Sequence, residues 1–352
     1  MDHGGQETLE VAFARANGVA AWKSRSCKSD VPDEWPYGLN RLAMHFDDVR
    51  AADLDRASVW SLALSLSRLR SFQRKSVDVS IAWDERAAVR MVNRRAATRM
   101  LCGVIWATDE VCRGERKFEN RFVKKILRQM DGVWCLSRAQ LPVVADWLGR
   151  GGPAVCYLPF GIDETFYTYV PYPTGRSPII VSFGIDRDRD PETLFESLDL
   201  VIKHRPDVRA LVQTDSELTA PTGVKKIGRV SHRDVHRMYG ESALAMVATR
   251  QNLHASGLTV TLEAMSTGRP VVISGTPGLE DYVENGVSGY LVEPECPEGM
   301  ARAALSVLGN PEVAIEMGRA GRLRVEKNFT TALMSRHIAD MVSSLNGVAS
   351  IA

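Results

Sequence analysis

A glycine turn followed by a short amphipathic helix, residues 257–268, is the segment of this sequence best suited to chemistry. Leu258 and Leu262 lie four residues apart and mark an apolar stripe, and Glu263 falls outside that stripe. The N–H groups of residues 257–259 form the positive end of the helix, where an anion such as a pyrophosphate would bind. Glu263, one turn further along, would accept hydrogen bonds from sugar hydroxyls. The alternative is a surface helix with a solvated glutamate.

Acidic residues follow two predicted strands of the N-terminal half. Asp84 and Glu85 follow VDVSIAW, and Thr108, Asp109 and Glu110 follow MLCGVIWA. Because ligands of parallel sheets bind beyond the carboxyl ends of the strands, either group could orient an acceptor hydroxyl. Helix capping by Asp84 or Asp109 would explain the same residues without catalysis. Asp109 is the preferred catalytic candidate.

The segment 117–128 combines basic side chains with phenylalanines at helical spacing. Its Lys and Arg residues alternate with Phe118 and Phe122. A basic amphipathic helix can lie on an anionic membrane, with about 1 kcal/mol of attraction for each well-placed cation. The commoner outcome is a half-buried helix with a solvated basic face. A peripheral contact with the inner face of a membrane is therefore one of two expectations for this segment.

Short apolar segments alternate with helical patterns along the chain, which is typical of parallel sheets covered by helices. In the N-terminal half, strands are predicted at 9–15, 48–54, 77–83, 100–107, 131–137 and 154–160, and helices at 58–72, 86–99, 117–130 and 137–149. In the C-terminal half, strands are predicted at 179–185, 208–214, 224–230, 243–249, 270–275 and 288–294, and helices at 191–205, 232–242, 257–268, 297–308 and 311–345. A segment rich in proline and tyrosine, 166–178, separates the two series. We expect an α/β protein with two Rossmann-like doubly wound domains facing each other across a cleft.

Composition excludes several classes of protein. The 352 residues suffice for two domains, and 45% hydrophobic with 25% charged residues is ordinary globular usage. A net charge of +1 lacks the basic excess of a nucleic-acid binder. Six scattered cysteines indicate neither a zinc site nor a disulfide framework. Without a leader pattern or a long apolar run, the expected location is cytoplasmic. A nicotinamide-dependent oxidoreductase is disfavoured because no Gly-x-Gly-x-x-Gly follows a predicted strand.

The C-terminal half resembles a known family. Gly257, the run Leu-Glu-Ala-Met at 262–265, and Gly268 followed by Pro-Val-Val resemble the donor-domain signature of the GT-B fold, retaining glycosyltransferases of family 4, glycosyl transferases group 1. The segments YLPFGIDETF, VSFGIDRDRDPETL and ENGVSGYLVEP are similar to further parts of that family. The resemblance implies an acceptor-binding domain at 1–165, a nucleotide-sugar-binding domain at 166–325, and a C-terminal helical segment at 326–352 that packs back toward the N-terminal domain.

The resemblance also implies roles for individual residues. Glu263 would hold the nucleotide ribose, and the amides of Gly257, Leu258 and Thr259 would hold the diphosphate. The family adds two cations from a loop that here runs from Gly184 to residue 190, so Arg189 would replace the family's lysine and Arg187 would supply the other charge. The alternative is that both arginines pair with the neighbouring aspartates of an exposed loop.

One position departs from the family pattern. The family usually has a second glutamate eight positions before the ribose-binding one, and Ala255 stands there in this chain. His254 could contact a sugar hydroxyl or phosphate instead, although a lone histidine beside a turn is more often structural. The resemblance implies transfer of a hexose from a UDP- or GDP-sugar to a glycan, lipid-linked or small-molecule acceptor with retention, and no metal or cofactor. The alternative is a weak or inactive relative that binds nucleotide-sugar or glycan.

Overall fold

The computed structural model describes residues 7–14, 18–54, 77–94 and 97–348. They form two units, each with its own six-stranded sheet. The first unit comprises the described parts of 1–28, 33–160 and 331–352, and the second comprises 29–32 and 161–330. The sequence placed its divisions at 165/166 and 325/326, whereas the main divisions in the structure fall at 160/161 and 330/331.

The first unit is a parallel sheet with helices in its crossovers. Its elements are β1 (Thr8–Ala14), α1 (Val19–Ser26), a 3₁₀ segment (Pro36–Met44), β2 (Asp48–Leu54), β3 (Val77–Ala82), α2 (Glu85–Arg94), β4 (Ala97–Gly103), α3 (Ala107–Cys112), α4 (Lys117–Leu127), β5 (Gly132–Cys135), α5 (Gln140–Leu148) and β6 (Ala154–Tyr157). The strand order is β2-β1-β3-β4-β5-β6. Central strands are buried on both faces, so they form continuous apolar runs such as the fully buried β5.

The second unit repeats this architecture. Its elements are β7 (Ile179–Ser182), α6 (Pro191–His204), β8 (Arg209–Gln213), β9 (Val224–Ile227), α7 (His232–Glu241), β10 (Leu244–Val247), α8 (Leu258–Ser266), β11 (Val271–Ser274), a 3₁₀ turn (Leu279–Asp281), β12 (Tyr290–Val292), α9 (Pro297–Gly309) and α10 (Pro311–Asn328). All pairings are parallel, in the order β12-β11-β10-β7-β8-β9. The expectation of two Rossmann-like doubly wound units is confirmed.

The structure corrects two predicted helices. Among the described residues of 86–99, a helix runs to Arg94, and β4 is described from Ala97, since Ala97 and Arg99 pair with β3. The segment 311–345 contains α10 and a separate helix, α11 (Thr331–Val348). Between them Phe329 leaves helical geometry, with φ −132° and ψ 39°, and packs on Tyr282 with ring centroids 4.8 Å apart. The predicted helix 58–72 lies outside the described residues.

Helix α11 belongs to the first unit, although it comes last in the chain. It packs against the 3₁₀ segment Pro36–Met44, where Gly38 lies so close to Thr331 that a Cβ on Gly38 would be 2.5 Å from the threonine methyl group. Gly38 also has a φ of +68°, which other residues rarely adopt. Within the described residues, no helix combines the length and apolar character that crossing a bilayer requires.

Candidate functional site

The second sheet changes direction between β7 and β10. The chain runs from β7 through β8 to β9 on one side, and from β10 through β11 to β12 on the other, so β7 and β10 are neighbours. Open α/β sheets bind ligands beyond the carboxyl ends of strands at such a switch point. Two loops meet there, 183–190 after β7 and 248–257 after β10, and a bridge pairs Arg189 with Thr249.

Helix α8 begins at this point. Gly257 is its N-cap, with a φ of 90° that a residue with a side chain rarely adopts. The sequence predicted three free amides at this end, but the Leu258 amide donates to the Ala255 carbonyl at 3.0 Å. Among the described residues, no main-chain acceptor is recorded for the amides of Thr259 and Val260. The first turn therefore retains donors that could hold an anion.

The guanidinium of Arg189 lies against two glycines. A Cβ on Gly184 would collide with Nη2, and a Cβ on Gly257 would lie 2.8 Å from Nη1. The Nε and Nη1 atoms are buried and have no hydrogen-bond partner within the described residues. Burial lowers the pKa of Arg189, and the carboxylate of Asp186 opposes that effect. Because buried charges are normally paired, these two donors indicate that an anionic ligand completes the site.

Beside Arg189, the loop after β7 lines a cavity of about 240 Å³. Gly184, Asp186 and Arg187 contribute to its wall, together with the residues that follow β8, Thr214, Asp215 and Ser216. Arg187 is partly exposed and pairs with Asp188, with 3.3 Å between Nε and Oδ2. The structure thus separates the two predicted cations. Within the described residues, Nε and Nη1 of Arg189 are buried without a partner, whereas Arg187 is a surface residue that pairs with a carboxylate.

Glu263 is 4% exposed and lies one turn into α8. Tyr167 donates its hydroxyl to Oε1 at 2.8 Å. Among the described residues, Oε2 has no recorded partner. Burial raises the pKa of Glu263 to about 7, although the Tyr167 hydroxyl and the charge of Arg189 oppose the rise. Glu263 is thus a carboxylate anchored through one oxygen, with the other able to accept hydrogen bonds.

His254 lies between two carboxylates rather than facing an open space. Its Nε2 is 3.4 Å from Asp186 and its Nδ1 is 3.7 Å from Asp188. Burial would raise the pKa of Asp186, but hydrogen bonds from His254 and the Asp188 amide outweigh burial and lower it to about 2. These three side chains are also the group of the described residues close enough together to ligate a metal ion. With both ring nitrogens engaged, His254 links the two loops of the site.

Two of the acidic candidates in the first unit cap helices, and a third is buried. Asp84 accepts the Ala87 amide at 2.8 Å, which is the capping role of the alternative reading. Glu85 accepts the amides of Ile105, Trp106 and Ala107 at 3.0, 2.9 and 2.8 Å, so it caps α3 instead of facing a ligand. Asp109 is 3% exposed in the first turn of α3.

The basic helix α4 is half-buried. Ile126 and Leu127 enter the core, whereas Lys117, Arg121 and Lys125 are exposed. Arg128 donates to the carbonyls of Leu148 and Arg150 and so helps to end α5. Phe118 is unusual because it is 81% exposed among these cations.

Two residues of the site were absent from the predictions. Tyr167 comes from the proline- and tyrosine-rich segment, and His232 begins α7; the Tyr167 hydroxyl is 2.7 Å from His232 Nδ1. Buried hydroxyls of Thr249 and Ser256, which also lack partners within the described residues, flank the second loop. The one sequence signal for any of these residues was the tyrosine-rich composition of 166–178, which contains Tyr167.

Comparisons with known proteins match part of the second unit to a family model. Residues 179–310 match the family model described as Glycosyl transferases group 1. The D-inositol 3-phosphate glycosyltransferase of Streptomyces griseus is 28% identical over 178 residues, which cover 42% of this chain and 38% of that protein. The glycogen synthase of Mycobacterium tuberculosis is 32% identical over 103 residues, covering 29% of this chain and 24% of that protein. The chain therefore spans well under half the length of these two relatives.

Solved structures extend the likeness to both units. A sucrose-phosphate synthase from Thermosynechococcus elongatus has a TM-score of 0.72 at 16% identity, covering 97% of this chain and 100% of that one. Anabaena HepE in complex with UDP-glucose has a TM-score of 0.69 at 14% identity, with the same coverage. At such identities the likeness shows the fold, which is GT-B. Residues 179–310 are thus similar to the glycosyl transferases group 1 family, and both units have the fold of these solved structures.

Proposed function

We propose that this protein is a glycosyltransferase that takes a hexose from a UDP- or GDP-sugar. The observation that carries the proposal is the buried guanidinium of Arg189, whose Nε and Nη1 have no partner among the described residues. It lies against the glycine that starts α8. A nucleoside diphosphate supplies the oxygens that both this cation and the first-turn amides need. HepE, of the same fold, is described in complex with UDP-glucose.

Each part of the donor has a place in this proposal. Arg189 and the amides of Thr259 and Val260 hold the diphosphate, and Oε2 of Glu263 accepts hydrogen bonds from the ribose. As the bond to the sugar breaks, negative charge grows on the diphosphate, and a fixed guanidinium beside it stabilises that charge. We propose that Arg189, rather than a metal ion, neutralises the negative charge on the diphosphate.

Retention of configuration is part of the same proposal. The departing diphosphate oxygen accepts the proton of the attacking hydroxyl on the same face of the sugar, so no separate base is required. The acceptor is a glycan, a lipid-linked sugar or a small molecule, and Asp109 in the first unit is its proposed orienting residue.

A second candidate function is nucleotide-sugar binding without transfer. It is favoured by Ala255, which stands where relatives usually carry a glutamate, and by the engagement of both His254 nitrogens with aspartates. Incubation with isotope-labelled UDP-glucose and GDP-mannose separates the two functions. Release of labelled sugar, or its transfer to water or an added glycan, supports the enzyme; tight binding without release supports the second candidate.

The donor site is tested by exchanging one arginine at a time. Arg189→Met removes the buried donors and is expected to weaken binding of UDP or GDP at least about 100-fold, because two charge-assisted hydrogen bonds are lost. Arg187→Met is the matched control, since Arg187 is exposed and already paired, and a change below about threefold is expected. Isothermal titration calorimetry measures both. Equal affinities in Arg189→Met and the wild type would contradict the assignment.

We further propose that α4 touches anionic lipid during the reaction. The exposed ring of Phe118 and the surrounding cations fit a surface that inserts one aromatic group between charged headgroups. Co-sedimentation with vesicles of phosphatidylcholine, with and without phosphatidylglycerol, tests this. Binding only to the anionic vesicles is expected, with a several-fold reduction in Phe118→Ser. Equal binding of that variant and the wild type would refute the contact.

A further inference from the structure

Glu263 is the end of a chain of polar side chains that reaches the surface. His232 Nδ1 is 2.7 Å from the Tyr167 hydroxyl, and that hydroxyl is 2.8 Å from Glu263 Oε1. The exposed fraction of the side chain is 33% for His232 and 6% for Glu263, and Tyr167 between them is 1% exposed. The three residues therefore join a solvent-facing imidazole to a buried carboxylate through one hydroxyl group.

The hydroxyl has a single proton for two acceptors. A neutral imidazole with a bare Nδ1 competes with Glu263 for that proton, whereas an imidazolium has an N–H at Nδ1 and can only donate to the tyrosine oxygen. Protonated His232 thus directs the Tyr167 proton to Glu263. Its charge also lies 3.9 Å from the carboxylate, which favours the ionised form of Glu263.

We propose that His232 and Tyr167 are positioning residues that favour the ionised form of Glu263 and orient it toward the ribose. This inference rests on the proposed donor site and adds a means of regulating it. As the solution becomes more acidic, the imidazole gains its proton and helps the carboxylate to keep its charge. Donor binding thereby extends to a lower pH than it would with the buried glutamate alone.

Other titratable groups surround the three residues. Arg189 and Tyr239 lie near Glu263, and Asp163 lies near Tyr167. Burial raises the pKa of Tyr167 well above its ordinary value, so its hydroxyl stays a donor throughout the relevant range. His236, also on α7, packs edge-on against Tyr167 at 5.9 Å and contacts the carbonyl of Thr168 at 3.0 Å. His236 is therefore a neighbouring histidine outside the chain of hydrogen bonds.

The first experiment measures the titration of Glu263 in the ligand-free protein. Carboxyl ¹³C NMR of glutamate-labelled protein gives its midpoint, with the resonance assigned by its loss in Glu263→Gln. His232→Phe and Tyr167→Phe are expected to raise the midpoint by about one pH unit, because a donor to the charged form is lost. His232→Asn keeps a donor near the place of Nδ1 and is expected to restore most of the wild-type value.

The control variant is His236→Phe, which should leave the Glu263 midpoint within about 0.3 of the wild type. Thermal unfolding verifies that each variant is folded. If His232→Phe also leaves the midpoint unchanged, the inference is overturned. Since no ligand is needed, this result does not depend on whether the protein binds a nucleotide.

The second experiment measures UDP and GDP affinity of the same variants at two pH values. His232→Phe is expected to bind about fivefold more weakly than the wild type at pH 6.5 and within about twofold at pH 8.5, because a midpoint one unit higher removes ionised carboxylate mainly at the lower pH. A loss of equal size at both pH values would mean a purely structural role and overturn the inference. Absence of nucleotide binding in the wild type would contradict the proposed function instead.

Discussion

The two units each contain a buried glutamate beside a helix, and the two carboxylates differ in how completely they are bonded. Glu85 and Glu263 are both 4% exposed, and burial raises the pKa of both. Glu85 accepts three amides of its own unit through its two oxygens. Glu263 has one donor, the Tyr167 hydroxyl, on one oxygen.

Burial and a raised pKa therefore do not separate a binding group from a structural one in this protein. What separates the two is the number of hydrogen bonds that each carboxylate already accepts from the protein. Glu85 satisfies the start of α3 and has little capacity for a ligand. Glu263 and Arg189 lie within one site and both have polar atoms without protein partners among the described residues, which is the arrangement expected where a ligand supplies the missing bonds.

The largest expected effect is the loss of stability in Glu85→Gln. The amide group replaces one accepting oxygen by a donor, which then faces backbone N–H groups instead of accepting hydrogen bonds from them. We expect the free energy of unfolding to fall by about 3 kcal/mol. Urea unfolding followed by circular dichroism measures this change. A stability equal to the wild type would show that Glu85 is less completely bonded than its contacts indicate.

The same substitution in the second unit, Glu263→Gln, is expected to raise the free energy of unfolding instead of lowering it. The pKa of Glu263 is about 7 in the folded protein, above its ordinary value near 4.5, so its contribution to stability is complete below pH 4.5 and is lost as the pH rises through 7. Because glutamine does not ionise, Glu263→Gln removes this pH-dependent loss of stability. The variant should match the wild type at pH 4.5 and be more stable by about 2 kcal/mol at pH 8. Unfolding in urea at both pH values tests this, and a variant less stable at pH 8 would reverse our assignment.

A smaller effect is expected for Asp84, which caps α2 by accepting the Ala87 amide. Asp84→Ala should lower the free energy of unfolding by about 1 kcal/mol, and Asp84→Asn should restore most of it, since asparagine is also a good N-cap. Glycosyl transfer, or nucleotide binding if no transfer occurs, should be unchanged in both. A specific loss of transfer in stable Asp84→Asn would return this residue to the catalytic candidates.

Much of the fold could be predicted from the chain. Each of the twelve described strands overlaps a predicted one. Buried parallel strands are short apolar segments, and glycines and prolines between them mark where each segment ends. The strand pairing of Ala97 and Arg99 was missed because helical periodicity runs on through a segment whose final residues pair with β3. The break at Phe329 was missed because it depends on packing against Tyr282, 47 positions earlier in the chain.

The site could be predicted only where a local motif specifies it. Gly257 and Glu263 belong to one helix, so their spacing is informative. The contact between Glu263 and Tyr167 cannot be predicted from spacing. Tyr167 is 96 residues away in sequence, and only the closed fold brings the two together. The difference between Arg187 and Arg189 is likewise invisible in an alternating Arg-Asp loop, because it depends on which guanidinium lies over the two glycines.

The position of α11 has a consequence for biosynthesis. Residues 331–348 leave the ribosome after the whole second unit, yet they pack in the first unit against the 3₁₀ segment near residue 38. Translation thus delivers all of the second unit before the first has its final helix. A nascent chain stalled before residue 331 exposes the surface that α11 later covers, and chaperones have reason to bind there until α11 has been synthesised.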